Sequence, residues 1–276
     1  MSDHLILHIF RNTPFGREIL LQSLYFAKKT NSRPKVYIPR FRQFLMYFRS
    51  TVVTVDLDGS FLTSPGTARK HASEIIRQAG FEPDFLLPGD RTAGSIPVLP
   101  VDFTYLCCPR SISDLSTKIG LDYIGPKVRS IVKNSTFPVL ISSPVYKEWK
   151  SIVVFWGGSE TAVKALKLGR HISQASGFPL HIFTQAENQS RDYYREILDN
   201  NGLFEPIKKK EVTWWFFDKG TFAENLYKVP HDSLAVVGTL GHNLVKEVLF
   251  GSKAETLQTL LPNNLLLVGP HYTPPG

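Results

Sequence analysis

Three glycines and a serine near the end of the chain have types and spacing suited to phosphate binding. Residues 238–252 read GTLGHNLVKEVLFGS, in which Gly238, Gly241 and Gly251 are followed by the hydroxyl of Ser252. The preceding run SLAVV is apolar throughout, which predicts a buried strand. A glycine where a strand ends lets the backbone turn with positive φ and approach a ligand without a Cβ. Backbone N–H groups exposed there, or at the start of a helix, attract anions.

The same stretch has a second interpretation, in which no ligand is involved. The segment HNLVKEVLF has helical spacing, so Gly251 can end that helix as a C-cap within an ordinary connection between two strands. The position directly after a strand favours the first interpretation, because ligands of open parallel sheets bind beyond the carboxyl ends of the strands.

The elements that would position these residues alternate between strand and helix in both halves of the chain. In the second half, SIVVFW leads through GGSE into the helix TAVKALKLGRHISQAS, and the strands PLHIF, EVTWWFF, SLAVV and NLLLV follow. The strands are apolar along their whole length, which is typical of a parallel sheet covered on both faces. The first half follows the same order less regularly, so we predict two similar domains, at residues 1–146 and 147–276.

The motif G-x2-G-x9-G-[ST] after a fourth strand resembles the nucleotide-binding signature of the universal stress proteins. The run SIVVFWGGSETAVKALKLG is similar to the first strand and helix of that family, and PLHIF to its second strand. The resemblance implies an α/β fold of two Rossmann-like domains, of the type of the adenine nucleotide alpha hydrolases. Each would be an open parallel five-stranded sheet of order 3-2-1-4-5 with helices on both faces.

What the resemblance implies for function is an ATP- or AMP-binding regulatory protein of the stress response, with the nucleotide held by the second domain. Phosphates and ribose would meet the glycine motif, and adenine would face the backbone of the residue after His181. The nucleotide-binding residues implied in this way are Gly157, Ser159, Ile182, Gly238, Thr239, Gly241, His242, Gly251 and Ser252.

One position departs from the family pattern. Members that bind ATP usually carry an aspartate at the end of the first strand, where this chain has Gly157 in FWGGSE. Without that carboxylate the site loses an oxygen ligand for Mg²⁺, which weakens the case for metal-assisted hydrolysis. We therefore do not predict an enzyme, beyond slow ATP hydrolysis at most. The neighbouring Trp156 either stacks on a base or fills the core.

The first half resembles the same family only faintly. Cys108 and Ser111 stand where two glycines are expected. Thirteen residues rather than nine lie between Ser111 and Gly125, and Pro126 replaces the serine or threonine. Because side chains crowd the turn and proline has no N–H, we expect this degenerate domain to have lost the nucleotide. Tandem members of the family have two such domains that pack as a dimer within one chain, and the resemblance leaves room for a different pocket in this half.

Charge suggests an alternative function. Residues 1–146 have 18 Lys and Arg against 11 Asp and Glu, whereas residues 147–276 have 14 against 13. In RPKVYIPRFRQFLMYFRS, arginines and aromatic residues alternate with no acid between them, as in a module that binds RNA, an anionic surface or a protein partner. The apolar residues of the same segment have helical spacing, which predicts a helix packed on its own domain; they are Phe41, Phe44, Leu45 and Phe48.

Further patterns limit the class of protein. No apolar run reaches the roughly 20 residues of a membrane span and the N-terminus is a poor signal peptide, so we predict a cytoplasmic protein. Cys107 and Cys108 are adjacent, which indicates buried thiols rather than a disulfide or metal site.

The segment DLDGS at 56–60 is either a metal-binding or phosphorylation loop or, as we favour, a turn. Adenine nucleotide is the favoured partner, followed by a homodimer of tandem chains and an unidentified protein; nucleic acid is not favoured.

Overall fold

The chain divides into two compact units, residues Met1–Glu148 and Trp149–Gly276. They are seen in a computed structural model that describes residues 4–90, 96–110, 112, 124–143, 145–186, 189–239 and 262–274. The boundary lies two residues beyond the one expected from the sequence.

The second unit is an open parallel sheet in which strands lie in the order β11-β10-β9-β12-β13. Numbered within the unit, this is 3-2-1-4-5, the order that the resemblance implies. Its strands are β9 Ser151–Phe155, β10 Leu180–Gln185, β11 Val212–Phe217, β12 Ser233–Gly238 and β13 Asn264–Val268, and its described helices are α4 Glu160–Ser176, α5 Arg191–Asn200, α6 Glu205–Lys208 and α7 Phe222–Leu226.

Helix α4 packs closely on the centre of this sheet because its inner face is made of small and apolar residues. Ala162, Ala165, Leu166, Gly169 and Ile172 are all buried. A Cβ added at Gly169 would lie 2.5 Å from the Cγ2 atom of Val154 on β9, so the glycine sets how closely helix and strand approach.

The first unit contains a smaller version of the same sheet. Its strands lie in the order β8-β7-β1-β2, and every pair is parallel. The third strand of the expected five is reduced to an isolated bridge between Val36 and Phe85, so the prediction of five full strands is wrong for this unit. The described elements are β1 Leu5–Ile9, α1 Pro14–Lys29, β2 Arg33–Tyr37, β3 Gln43–Tyr47, β4 Val52–Asp56, α2 Pro65–Gln78, β5 Gly89–Asp90, β6 Pro97–Leu99, β7 Tyr105–Cys108, α3 Pro126–Asn134 and β8 Val139–Ile141.

The first unit also contains a second sheet of mixed direction, with strands in the order β4-β3-β6-β5. This sheet interrupts the alternation of strands and helices that the second unit follows. The basic aromatic segment, residues 33–50, contributes strand β3 to this second sheet, where β3 pairs antiparallel with β4. The helix expected from Phe41 to Phe48 is therefore wrong. Phe44 and Met46 lie on the same side of the strand and are fully buried. The pairing partner decides this outcome, because β3 and β4 together bury apolar residues that an isolated helix would leave half exposed.

Two simpler expectations can be compared with the described residues. Cys107 and Cys108 are free, buried thiols at the end of β7, as predicted. Among the described helices none is long and apolar enough to cross a membrane.

Candidate functional site

The second unit has a switch in strand order at its centre. Strand β9 pairs with β10 on one side and β12 on the other, so the connections that follow β9 and β12 begin at neighbouring points on the carboxyl edge of the sheet. The register pairs Val237 with Phe155, which brings Gly238 alongside Trp156. In parallel sheets such a switch point is where ligands bind.

The loop between β9 and α4 consists of Trp156, Gly157, Gly158 and Ser159. Gly157 is exposed, so its backbone is open to solvent. Gly158 has a φ of +75°, and an added Cβ would lie 2.9 Å from Ile197 Cδ1. The positive φ that a tight turn requires therefore belongs to Gly158.

Ser159 begins helix α4 as its N-cap. Its Oγ accepts a hydrogen bond from the backbone N of Ala162 at 3.2 Å. The hydroxyl of Ser159 thus has a structural role at this helix end.

The first turn of α4 carries its own charge balance. Lys164 Nζ lies 2.8 Å from Glu160 Oε1 and donates to the carbonyl oxygen of Pro270 at 2.6 Å. The hydrogen bond from Lys164, followed by its charge, lowers the pKa of Glu160. The carboxylate nearest to the loop in sequence is therefore paired with an ammonium group.

Gly238 ends β12 directly beneath the start of α4. An added Cβ would lie 2.5 Å from the carbonyl carbon and oxygen of Thr161 and 2.7 Å from the nitrogen of Ala162. Its φ is not positive, contrary to the reason first given for this glycine. Close approach of two backbones requires glycine here.

Thr239 is held by the neighbouring strand. Its backbone N and its Oγ1 both donate to the carbonyl oxygen of Val268, at 2.9 and 3.0 Å. Its side chain is buried, so the hydroxyl ties β12 to β13. The other motif residues, Gly241, His242, Gly251 and Ser252, lie outside the described residues.

Ile182 lies inside the sheet, away from its carboxyl edge. It is in register with Val154 on one side and Trp214 on the other, and its side chain is completely buried. The strand continues for three residues to Gln185, which occupies the edge itself.

Gln185 is an edge residue that the sequence analysis missed. Its Oε1 accepts from Asn225 Nδ2 at 2.8 Å, and its Nε2 donates to the carbonyl oxygen of Gly220 at 3.2 Å. Asn225 also donates to Lys219. The available signal was a polar residue at the end of an apolar strand, but its partners lie 35 and 40 residues further along the chain.

Trp156 fills the core. Its ring is 2% exposed, so stacking on a base from solvent is not its role in this conformation. The backbone N of Trp156 donates to Phe183, while its indole Nε1 has no hydrogen-bond partner in the described structure.

The matching edge of the first unit is occupied by the chain itself. Thr13 caps α1 four residues after β1, as Ser159 caps α4 four residues after β9, which aligns Arg11 with Gly157. The guanidinium of Arg11 pairs with Asp58, donates to Ser60 and lies 5.3 Å from the centre of the Phe61 ring. Side chains thus cover the position that a glycine leaves open in the second unit.

Asp58 has a structural role in that arrangement. It caps the short 3-10 turn Gly59–Phe61 and accepts from the backbone N of Ser60 at 2.7 Å. This is the turn that the sequence favoured for DLDGS. Across the described part of the chain, no group of three or more His, Cys, Asp and Glu side chains has the arrangement of a metal site.

Solved structures with this arrangement of elements include universal stress proteins. One from Archaeoglobus fulgidus is 15% identical, with a TM-score of 0.64, and the match covers 98% of this chain and 99% of that one. A putative universal stress protein from Pseudomonas aeruginosa is 12% identical, with a TM-score of 0.56 and coverage of 98% and 94%. The cytoplasmic domain of a prokaryotic cation chloride cotransporter is 12% identical, with a TM-score of 0.50 and coverage of 97% and 95%.

In comparisons of the sequence, no family model and no curated protein matches the chain. The strand order of the second unit and the near-complete coverage of the structural matches agree with the resemblance carried by the glycine motif. The chain therefore has the fold of the universal stress proteins.

Proposed function

We propose that the chain is a universal stress protein that binds an adenine nucleotide, ATP or AMP, in its second unit, as a regulatory protein of the cytoplasm. The observation that carries this proposal is the switch point between β9 and β12, on whose carboxyl edge an exposed Gly157 lies next to the start of the glycine motif. The fold supports it, because the motif follows the fourth strand of the unit, where the family pattern has it.

The described residues would contribute backbone rather than side chains to such a site. The hydroxyls of Ser159 and Thr239 are used within the fold, and Lys164 is engaged by Glu160 and Pro270. Phosphate contacts would come from main-chain N–H groups around Gly157 and from residues 240–252. Such contacts are typical of phosphate sites next to helix N-termini.

The test is calorimetry of the intact chain with AMP, ATP and cyclic AMP. We expect saturable binding that Gly251→Val removes, with Gly66→Val as the control, since a Cβ at Gly66 meets open space. Gly238 is unsuitable for this test because a Cβ there strikes the backbone of α4. Absence of binding by the native chain would contradict the proposal.

We propose further that this binding does not need Mg²⁺. Gly157 replaces the carboxylate that would supply an oxygen ligand, and Glu160 is paired with Lys164. Gly157→Asp should make ATP affinity depend on Mg²⁺, whereas Gly157→Asn, of similar size but uncharged, should not. Equal Mg²⁺ dependence of the native chain and both variants would refute this part of the proposal.

A second candidate function, an interaction module that needs no nucleotide, is favoured by one observation. Arg40, Arg42 and Arg49 flank β3 and form no ion pair with any described residue, while Phe41 and Tyr47 beside them are more than 40% exposed. Unpaired guanidinium groups next to exposed aromatic rings suit a polyanionic partner. Binding of such a partner that weakens steeply with salt, by a chain that binds no nucleotide, would favour this function.

A further inference from the structure

The first unit has a hollow of about 410 Å³ at the carboxyl-terminal ends of α1 and α2. All the residues that line it belong to residues 1–148. Leu21 and Leu24 of α1 supply apolar surface, and Lys28 of the same helix is part of the wall. Tyr25, Tyr146 and Glu148 also line the hollow. The volume is in the range of small-molecule sites.

The wall made by residues 146–148 is fixed by hydrogen bonds to α1. The backbone N of Tyr146 donates to Glu18 Oε2 at 2.8 Å, and that of Lys147 donates to Gln22 Oε1 at 3.0 Å. Gln22 is fully buried, so its amide is held in place. Two side chains of α1 thus position a segment more than 120 residues away, and the hollow is formed before any ligand arrives.

One side of the hollow suits an ammonium group. The rings of Tyr25 and Tyr146 stand nearly perpendicular, with centroids 6.3 Å apart, and Tyr146 Oη donates to Glu148 Oε1 at 3.1 Å. Burial raises the pKa of both tyrosines to about 12, and the charge of Glu148 adds to each rise. A carboxylate beside two aromatic rings attracts alkylammonium ions. Lys29 also lines the hollow, and its Nζ lies 5.4 Å from the Tyr25 ring centroid, so this ring is already in contact with a cation of the chain itself.

Another part of the wall suits a carboxylate. Lys28 is exposed and has no ion pair with any residue that the structure describes, so its ammonium is available. Leu21 and Leu24 line the same hollow and add apolar surface to it. Opposite charges and apolar surface within one small hollow are complementary to a zwitterion that has an apolar body.

We propose that this hollow binds a free α-amino acid with an apolar side chain. Its ammonium group lies against Glu148 and the Tyr146 ring, its carboxylate meets Lys28, and its side chain covers Leu21 and Leu24. This site is separate from the nucleotide proposal, since every residue in it belongs to the first unit.

The experiment uses the intact chain and three compounds that differ only in charge. L-phenylalanine carries both groups, 2-phenylethylamine lacks the carboxylate and 3-phenylpropanoate lacks the ammonium. In calorimetry or NMR titration we expect phenylalanine to bind at least tenfold more tightly than either of the others. No saturable binding of phenylalanine at millimolar concentration, or equal affinity for all three, would overturn the proposal.

Two variants assign the charges. Glu148→Gln should lower the affinity for phenylalanine and phenylethylamine about tenfold and leave that for phenylpropanoate unchanged. Lys28→Gln should lower the affinity for phenylalanine and phenylpropanoate and leave that for phenylethylamine unchanged. Glu82→Gln and Lys70→Gln are the matched controls, since both side chains are exposed and lie outside the hollow. If either test variant weakens all three compounds equally, or none of them, the assignment is wrong.

Discussion

At the scale of single residues, Gly238 has no space for a side chain because the first turn of α4 crosses its Cα. The same residue begins the glycine motif, so close packing against α4 is by itself a reason for glycine at this position. Replacing it therefore tests the fold before it tests the site.

We predict that Gly238→Ala destabilises the second unit by about 1–3 kcal/mol, the usual range for overpacking a well-packed core. The physical reason is the 2.5 Å approach of the new Cβ to Thr161. Urea denaturation measures the effect. Gly66→Ala is the control, because its Cβ meets open space in α2 and alanine favours helix. Equal stability of Gly238→Ala and the native chain would contradict the close contact.

Ionisation of His8 affects the stability of the first unit. It lies in β1 in register with Cys107, is fully buried, and neither ring nitrogen has a partner in the described structure. Burial lowers its pKa to about 3. Because the unfolded chain binds this proton near pH 6.5 and the folded chain does not, stability is full above pH 6.5 and falls as the pH drops towards 3.

We predict that the native chain loses about 2 kcal/mol more stability than His8→Leu between pH 7.5 and pH 5. Leucine has no ionisable group, so the linkage disappears with the histidine. Urea denaturation at the two pH values measures it, and His231→Leu, at an exposed position, is the control. A native chain and His8→Leu with parallel pH profiles would show that this imidazole is not the buried group described.

At the scale of elements, the two units begin with the same device. Each first strand is followed four residues later by a hydroxyl residue that caps a long helix, Thr13 for α1 and Ser159 for α4. What differs is the residue two positions before the cap, Arg11 in one unit and Gly157 in the other. The shared cap stabilises the start of the helix in both units. At the carboxyl edge of the sheet, the side chain of Arg11 covers the position that Gly157 leaves open.

We predict that Ser159→Ala costs about 1 kcal/mol and that Ser159→Asp restores most of it, because aspartate accepts the same backbone hydrogen bond. Thermal denaturation measures the change, and Thr13→Ala should cost a similar amount in the first unit. If Ser159→Asp were as unstable as Ser159→Ala, capping would not be the role of this hydroxyl. Nucleotide affinity measured on both variants separates capping from direct contact.

At the scale of the whole molecule, charge is distributed unevenly between the halves. The excess of 18 Lys and Arg over 11 Asp and Glu in residues 1–146 includes the three arginines around β3, which form no ion pair with a described residue. In the second unit the largest basic run is the exposed Lys208, Lys209 and Lys210, where Lys208 lies 3.5 Å from Glu205. Net charge alone treats these two clusters alike, whereas exposed aromatic neighbours accompany only the first.

We predict that Arg40→Glu, Arg42→Glu and Arg49→Glu together lower the salt concentration at which the chain elutes from heparin more than the same reversal at Lys208, Lys209 and Lys210. Both triple variants change net charge equally, so the comparison isolates position. Elution at the same salt concentration for both would show that the chain responds to total charge only.

The sequence by itself determined the alternation of strands and helices, the 3-2-1-4-5 order through its resemblance, the buried cysteines and the candidate edge with Gly157 and Gly238. These follow from local periodicity and turn chemistry, which each segment carries within itself. The sequence analysis assigned Ser159 to the nucleotide site and missed its role as a cap, although a serine before a helical run predicts a cap without any distant partner.

Only the tertiary structure decided the rest, because distant partners set it. The segment around Phe44 has apolar residues that fit either a helix or a strand, and pairing with β4 selected the strand. Arg11 covers its edge through Asp58, 47 positions away, and Gly238 is required by α4 rather than by its own turn. The hollow beside Tyr25 likewise depends on residues 146–148 returning to α1, and local propensity holds no information about contacts that chain folding alone creates.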